Sequence, residues 1–108
     1  MKVYVSGPMT GLPEFNYPAF HHAKRQLIAA GFEVISPADL PIQEGWEWVD
    51  YILVDIGSVF EVEGIATLPG YEASKGARIE TRIAEHRGLP IRTVGEWLTQ
   101  AADAKDAA

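Results

Sequence analysis

The chain contains no cysteine. That absence excludes disulfides, thiolate nucleophiles and cysteine–zinc sites together, and it fits a reducing, cytoplasmic setting. Basic residues are few: 9 Lys and Arg stand against 15 Asp and Glu, a formal charge of −6 at pH 7. Binding along a nucleic-acid backbone needs a basic face, so a nucleic-acid polymer is not an expected partner. A small anionic ligand stays open, because a helix N-terminus binds phosphate without any net positive charge. No apolar run approaches the roughly 18 residues of a membrane span, so no membrane partner is expected. The start, Met1-Lys2-Val3-Tyr4-Val5-Ser6, reads as a strand and lacks the apolar stretch of a secretion signal. Internal repeats and low-complexity tracts are missing as well.

What is present describes one globular domain. The 108 residues are 47 % hydrophobic and 22 % charged, enough apolar material for a single core. The domain is expected over residues 1–100. Residues 101–108 (AADAKDAA) hold no large apolar side chain and are expected as a frayed or disordered tail.

Strand and helix signals alternate. Residues 2–6 form a β-rich run that stops at Gly7-Pro8. Residues 7–15 hold two Gly and two Pro and read as a loop. A helix is expected after Asn16 with Pro18 in its first turn, ending near Ala30 before Gly31. Residues 32–35 are a second strand, and about 47–60 a second helix. Residues 64–68 are a third strand, Ser74 opens a third helix to about Arg87, and residues 91–94 are a fourth strand. Glu96 starts a last helical turn or two, to about Ala101. This alternation predicts an α/β fold: a doubly wound, flavodoxin-like or Rossmann-like parallel sheet of four strands, or five, in order 2-1-3-4, with helices on both faces. Ligands of such folds bind at the carboxyl ends of the strands, beside the switch point. That selects the loops after strands 1 and 3.

Helical wheels single out two carboxylates. In the third helix, with Gly76 at zero, Ile79, Ile83, Gly76, Ala84 and Ala77 span about −60° to +100°. Glu80 falls near the middle of this apolar arc, mid-helix, while Thr81 and Arg82 fall on the polar side. Arg87 also falls on the apolar side but sits at the helix end, free to leave it. In the second helix, with Trp48 at zero, Val59, Ile52, Ile56, Val49, Phe60 and Leu53 cover about +20° to +140°. Asp55 lies near −20°, between Tyr51 and Trp48, so it too faces inward. A buried ionised carboxylate costs several kcal/mol unless it is paired or hydrogen-bonded. Either each carboxylate finds a basic partner or caps a backbone group, or the two form a pair for covalent and acid–base chemistry on a glycosidic bond.

Other residues read as follows. Ser74 is an N-cap whose side chain and free N–H groups can face a ligand or simply cap the helix. Gly76 is a poor residue for a first turn, which close approach of a ligand or close packing on the sheet would explain. His21 and His22 are adjacent on a helix and point apart; no metal site is expected. Trp46 and Trp48 can stack on a base, with Trp48 read as a core residue. Tyr4 reads as a core residue whose hydroxyl can reach the strand-end site.

The stretch from Ser74 to Ala84 (SKGARIETRIA) resembles the nucleophile motif of the nucleoside 2-deoxyribosyltransferases and the related deoxynucleotide N-glycosidases, with Gly76, Glu80 and Ala84 at matching spacing. Val3-Tyr4-Val5-Ser6-Gly7-Pro8 resembles the first strand and substrate loop of that family. Tyr51-Ile52-Leu53-Val54-Asp55-Ile56 resembles its Asp-bearing helix. The likeness covers roughly residues 3–98. It implies Glu80 as nucleophile at C1′ of a sugar, Asp55 as binder or proton donor of the leaving base, and Tyr4 as the group that orients Glu80. Ser6, Gly7, Pro8 and Met9 would line the pocket, Gly76 would lie against the substrate, and Ser74 would contact the sugar 5′ end, which points toward a nucleotide. The chain departs from the pattern at Arg82, where the family has a small Gly, and at Met9 and Thr10, in the first loop where nucleotide-using members often have a basic residue. The resemblance also implies a homodimer or higher homo-oligomer, with part of the site supplied by a neighbouring subunit.

The expected function is therefore cleavage or base exchange of the N-glycosidic bond of a (deoxy)nucleoside or nucleoside 5′-monophosphate, without a cofactor. The alternative is a catalytically degenerate nucleotide-binding or sensing module. Two inward carboxylates argue against a purely structural protein.

Overall fold

The computed structural model describes residues 1–107. The elements run β1 (Lys2–Ser6), α1 (Tyr17–Ala29), β2 (Glu33–Ile35), α2 (Trp48–Val59), β3 (Gly64–Thr67), α3 (Lys75–His86), β4 (Ile91–Thr93) and α4 (Val94–Ala107). Short 3₁₀ turns at Pro13–Asn16, Pro37–Asp39 and Tyr71–Ala73 break the loops. All strand pairs are parallel and the sheet order is β2-β1-β3-β4, as expected. Among the described residues the sheet has four strands. Tyr4 on β1 is paired with Ile35 on one side and Ile65 on the other, which places β1 and β3 at the centre.

The two faces of the sheet carry separate cores, because successive side chains of a strand point to opposite sides. Val3, Val5, Ala66 and Leu68 pack with Phe20, Ala23 and Leu27 of α1 and Trp97 of α4. Tyr4 and Ile65 pack on the other face with Val59, Val62 and Ala84, below α2 and α3.

α4 is longer than its sequence pattern indicates. It begins at Val94, two residues before the expected start, and residues 101–107 continue it as helix; the last residue of the expected tail lies outside the described residues. Trp97 anchors this helix. Its side chain is fully buried, its Nε1–H donates to the Ile65 carbonyl at 2.7 Å, and its ring meets Phe32 edge-on at 5.7 Å. Gly64 makes room for it: a Cβ there would lie 2.6 Å from the indole. Alanine, abundant in this last stretch, then extends the helix at little entropic cost.

Two helix faces differ from the wheels. Thr81, expected on the polar side of α3, is buried, and its hydroxyl donates to the Ala77 carbonyl at 2.9 Å. Satisfied within its own helix, it costs little to bury. Conversely Val49, Leu53 and Phe60, expected in the core, are exposed. The buried side of α2 rests on Ile52 and Val59. Trp48 is likewise exposed rather than in the core, with Lys75 Nζ 4.7 Å from its ring centre.

Candidate active site

Tyr4 and Ser6 stand two residues apart on β1, so both project toward α2 and α3 while Val3 and Val5 project the other way. Glu80 comes down from the buried side of α3 to meet them. The Tyr4 hydroxyl donates to Glu80 Oε2 at 2.8 Å, and Ser6 Oγ donates to Glu80 Oε1 at 2.7 Å. Each carboxyl oxygen thus has its own hydroxyl donor. Glu80 is 4 % exposed and forms no ion pair; among the described residues the ion pairs involve only Asp39 with His21 and Lys24. Neutralisation by a basic side chain, one of the two outcomes open to an inward carboxylate, is not what this residue does.

Asp55 reaches the same point from α2. It is half-buried, and its charge is felt by both the Tyr4 hydroxyl and the Glu80 carboxyl. Burial pushes the Glu80 carboxyl up from 4.5 to about 8; the Ser6 hydrogen bond opposes this and the Asp55 charge adds to it. Burial likewise pushes Asp55 from 3.8 to about 6, against hydrogen bonds from Glu80 and Tyr4. Tyr4 is held well above its ordinary value of 10.0 by burial first and then by the two carboxylates, so it remains a donor. Near neutral pH the two carboxyls therefore hold one proton between them.

The remaining expected site residues surround this cluster with different roles. Ser74 caps α3, accepting from the Ala77 N–H at 3.2 Å, six residues or roughly 9 Å of helix rise before Glu80. Gly76 faces α2: a Cβ there would meet Ile52 Cδ1 at 3.3 Å and Trp48 at 3.9 Å. Close packing of α3 on α2 accounts for this glycine. Gly7 is required by the neighbouring strand end, since a Cβ there would lie 2.7 Å from Leu68 Cβ. The Pro8 carbonyl accepts from Asn16 Nδ2 at 3.0 Å, closing the first loop on itself. Glu14, Phe15 and Asn16 in that loop all have positive φ, a costly arrangement for three non-glycine residues. Met9 packs toward the α1–α4 core and is not brought to Glu80.

Two contacts carry no signal that the sequence motifs expose. Ser6 was expected to line a pocket, and its bond to Glu80 follows only from the register of β1 under α3. Arg87 leaves the apolar side of α3, as its end position allows, and its guanidinium donates to the Val59 carbonyl at 2.9 Å, closing the end of α2. No cluster of His, Asp or Glu among the described residues has a metal-holding arrangement. A cleft of about 410 Å³ lies on the opposite face, lined by His22, Thr67, Tyr71, Glu72 and Leu98 among others, and a shallow depression of about 630 Å³ follows α4. Neither is lined by Tyr4, Ser6, Asp55 or Glu80. No described helix is long and apolar enough to cross a membrane.

Residues 1–93 match the family model described as Domain of unknown function (DUF4406), and the chain belongs to that family. The matched span holds every residue of the cluster, from Tyr4 on β1 to Glu80 on α3. The chain matches no curated protein.

Proposed function

We propose that this member of the DUF4406 family cleaves or exchanges the N-glycosidic bond of a (deoxy)nucleoside or nucleoside 5′-monophosphate through a covalent glycosyl–Glu80 intermediate. One observation carries the reading: Glu80 is buried, unpaired with any cation, gripped by two hydroxyl donors and accompanied by a second carboxyl. Two hydroxyl donors satisfy a buried neutral acid, but a second carboxyl beside it and no cation make its ionised form costly, and titratable pairs perturbed in this way concentrate at functional sites.

The shared proton suits the reaction. Moving it from Glu80 to Asp55 creates a nucleophile and an acid in one step. Glu80 then attacks C1′, the C1′–N bond breaks, and its electron pair leaves with the base, which takes the Asp55 proton. In the second half, ionised Asp55 removes a proton from water, or from the N–H of an incoming base, as that group displaces Glu80 from C1′. Two inversions leave net retention. Tyr4 and Ser6 hold the Glu80 oxygens in place, and Ser74 at the head of α3 is the contact for the sugar 5′ end. No cofactor enters these steps. The cysteine-free composition fits a cytoplasmic setting for such an enzyme.

Incubation with a panel of nucleosides and 5′-monophosphates, with chromatography for free base, tests this. Release by the native protein and none by Glu80→Ala supports it; no release from any substrate overturns it. The near-complete enclosure of Glu80 favours a second reading, a nucleotide-binding or sensing module without turnover. That reading expects nucleotides to raise the melting temperature with no base released.

A further inference from the structure

We infer that α2 is hinged at Gly57 and Ser58, and that its N-terminal part, residues 48–56, swings off α3 to admit a substrate to Glu80. The purpose of the motion rests on Glu80 being the reacting group; the motion itself does not. Glu80 is 4 % exposed and neither cleft reaches it, so an incoming atom meets its carboxyl only after a covering element moves. Asp55, which acts on Glu80 from α2, is only half-buried, so α2 is the covering element that borders solvent at the cluster.

Unequal anchoring places the hinge. The C-terminal end of α2 is fastened: Val59 is fully buried with Tyr4 and Ile65, and Arg87 donates to its carbonyl at 2.9 Å. Across residues 48–56 only Ile52 is buried, and it meets α3 at Gly76. The outermost tie is Lys75 Nζ, 4.7 Å from the Trp48 ring centre on the exposed surface, where such contacts are weak. Between the two parts stands Gly57, exposed, with nothing within 4 Å of where a Cβ would lie. Glycine is a poor helix former, and no packing within the chain accounts for it here. Next to it, Ser58 Oγ donates back to the Val54 carbonyl at 3.3 Å. A serine bonded to the preceding turn loosens a helix, and Gly/Ser pairs are among the usual places where helices kink. The Tyr51 hydroxyl accepts from the Gln43 N–H at 2.8 Å and its ring meets Trp46 at 5.1 Å, so residues 43–46 travel with the helix. With one buried side chain to detach, the open form is a minor state of the free protein, populated at roughly 0.1–10 %.

A reversible bridge between α2 and α3 tests the inference. The chain has no cysteine, so Ile52→Cys with Gly76→Cys supplies the only two thiols, and loss of Ile52 Cδ1 makes room for the new side chain. A one-methylene bis-thiosulfonate joins them, and a reductant releases them. Opening is read by carbodiimide and amine labelling of Glu80, with exposed Glu85 on the same helix as the internal standard. The bridge is expected to slow Glu80 labelling at least about tenfold against Glu85, and reduction to restore it. Gly57→Ala, which stiffens the hinge and meets no neighbour, is expected to slow it roughly fivefold. In the native chain the amides of residues 52–56 are expected to exchange at least about tenfold faster than those of residues 80–84. Glu80 labelling that neither the bridge nor Gly57→Ala changes overturns the inference, as does equal exchange in the two segments. Neither measurement uses a substrate, so a chain that opens in this way but releases no base supports the hinge and overturns only the chemistry.

Discussion

Ser6 Oγ donates to Glu80 Oε1 at 2.7 Å, joining residues 74 positions apart in the chain. The bond ties the last residue of the central strand to the middle of α3, and its acceptor is the one carboxyl buried on that helix. It sets the position of Glu80 and holds down a carboxyl that burial pushes up.

The proposed chemistry needs one proton on the Asp55–Glu80 pair. Below about pH 6 both carboxyls are protonated and no nucleophile exists; above about pH 8 both are ionised and no acid exists. The rate of base release is therefore expected to be bell-shaped in kcat/KM, with limbs near these values. A rate that keeps rising beyond pH 9 contradicts the shared-proton step.

Stability follows the same groups with a definite sign. The folded protein holds the Glu80 proton more tightly than the unfolded chain, because the folded value is raised from 4.5 to about 8. The contribution is complete below about 4.5 and is lost as pH rises toward 8, with Asp55 acting in the same direction up to about 6. Glu80→Gln, neutral at every pH, is expected to melt more than roughly 5 °C above the native chain at pH 9 and close to it at pH 5. Calorimetry across this range measures the difference.

Tyr4→Phe and Ser6→Ala each remove one hydroxyl from Glu80. Each is expected to lower kcat by roughly 10- to 100-fold, equivalent to about 1–3 kcal/mol, with the fold retained. Because both act on one carboxyl, the double variant is expected to lose less than the product of the two. Kinetics on the four proteins of this cycle decide it.

Gly7→Ala places a Cβ 2.7 Å from Leu68 Cβ, between the ends of β1 and β3. It is expected to cost about 1–3 kcal/mol in denaturant unfolding. Combining it with Leu68→Ala relieves the clash, so the double variant is expected to be more stable than the sum of the single losses predicts.

Much of the fold is legible in the residue pattern. Alternating strand and helix signals, with Gly or Pro at the breaks, lead to four parallel strands in order 2-1-3-4. The wheels turn Glu80 and Asp55 inward, and both meet at Tyr4. They mislead at Val49, Leu53 and Phe60, which are apolar but exposed, and at Thr81, which is polar but buried. A wheel records where a helix is apolar, not which part of that arc the sheet covers. α2 has more apolar surface than one side of a four-stranded sheet and α3 can take up.

Local order and the identity of the inward carboxylates were thus determined by the sequence, since helix and strand periods are properties of neighbouring residues. What only the tertiary structure decided is the partnership of those carboxylates. Two hydroxyls on one side of β1, an aspartate on α2 and a glutamate on α3 meet because the strand order and parallel register bring their elements together. The chain encodes no local contact between them. Their raised titration has the same origin, because the desolvation that causes it exists only after both helices close over the sheet.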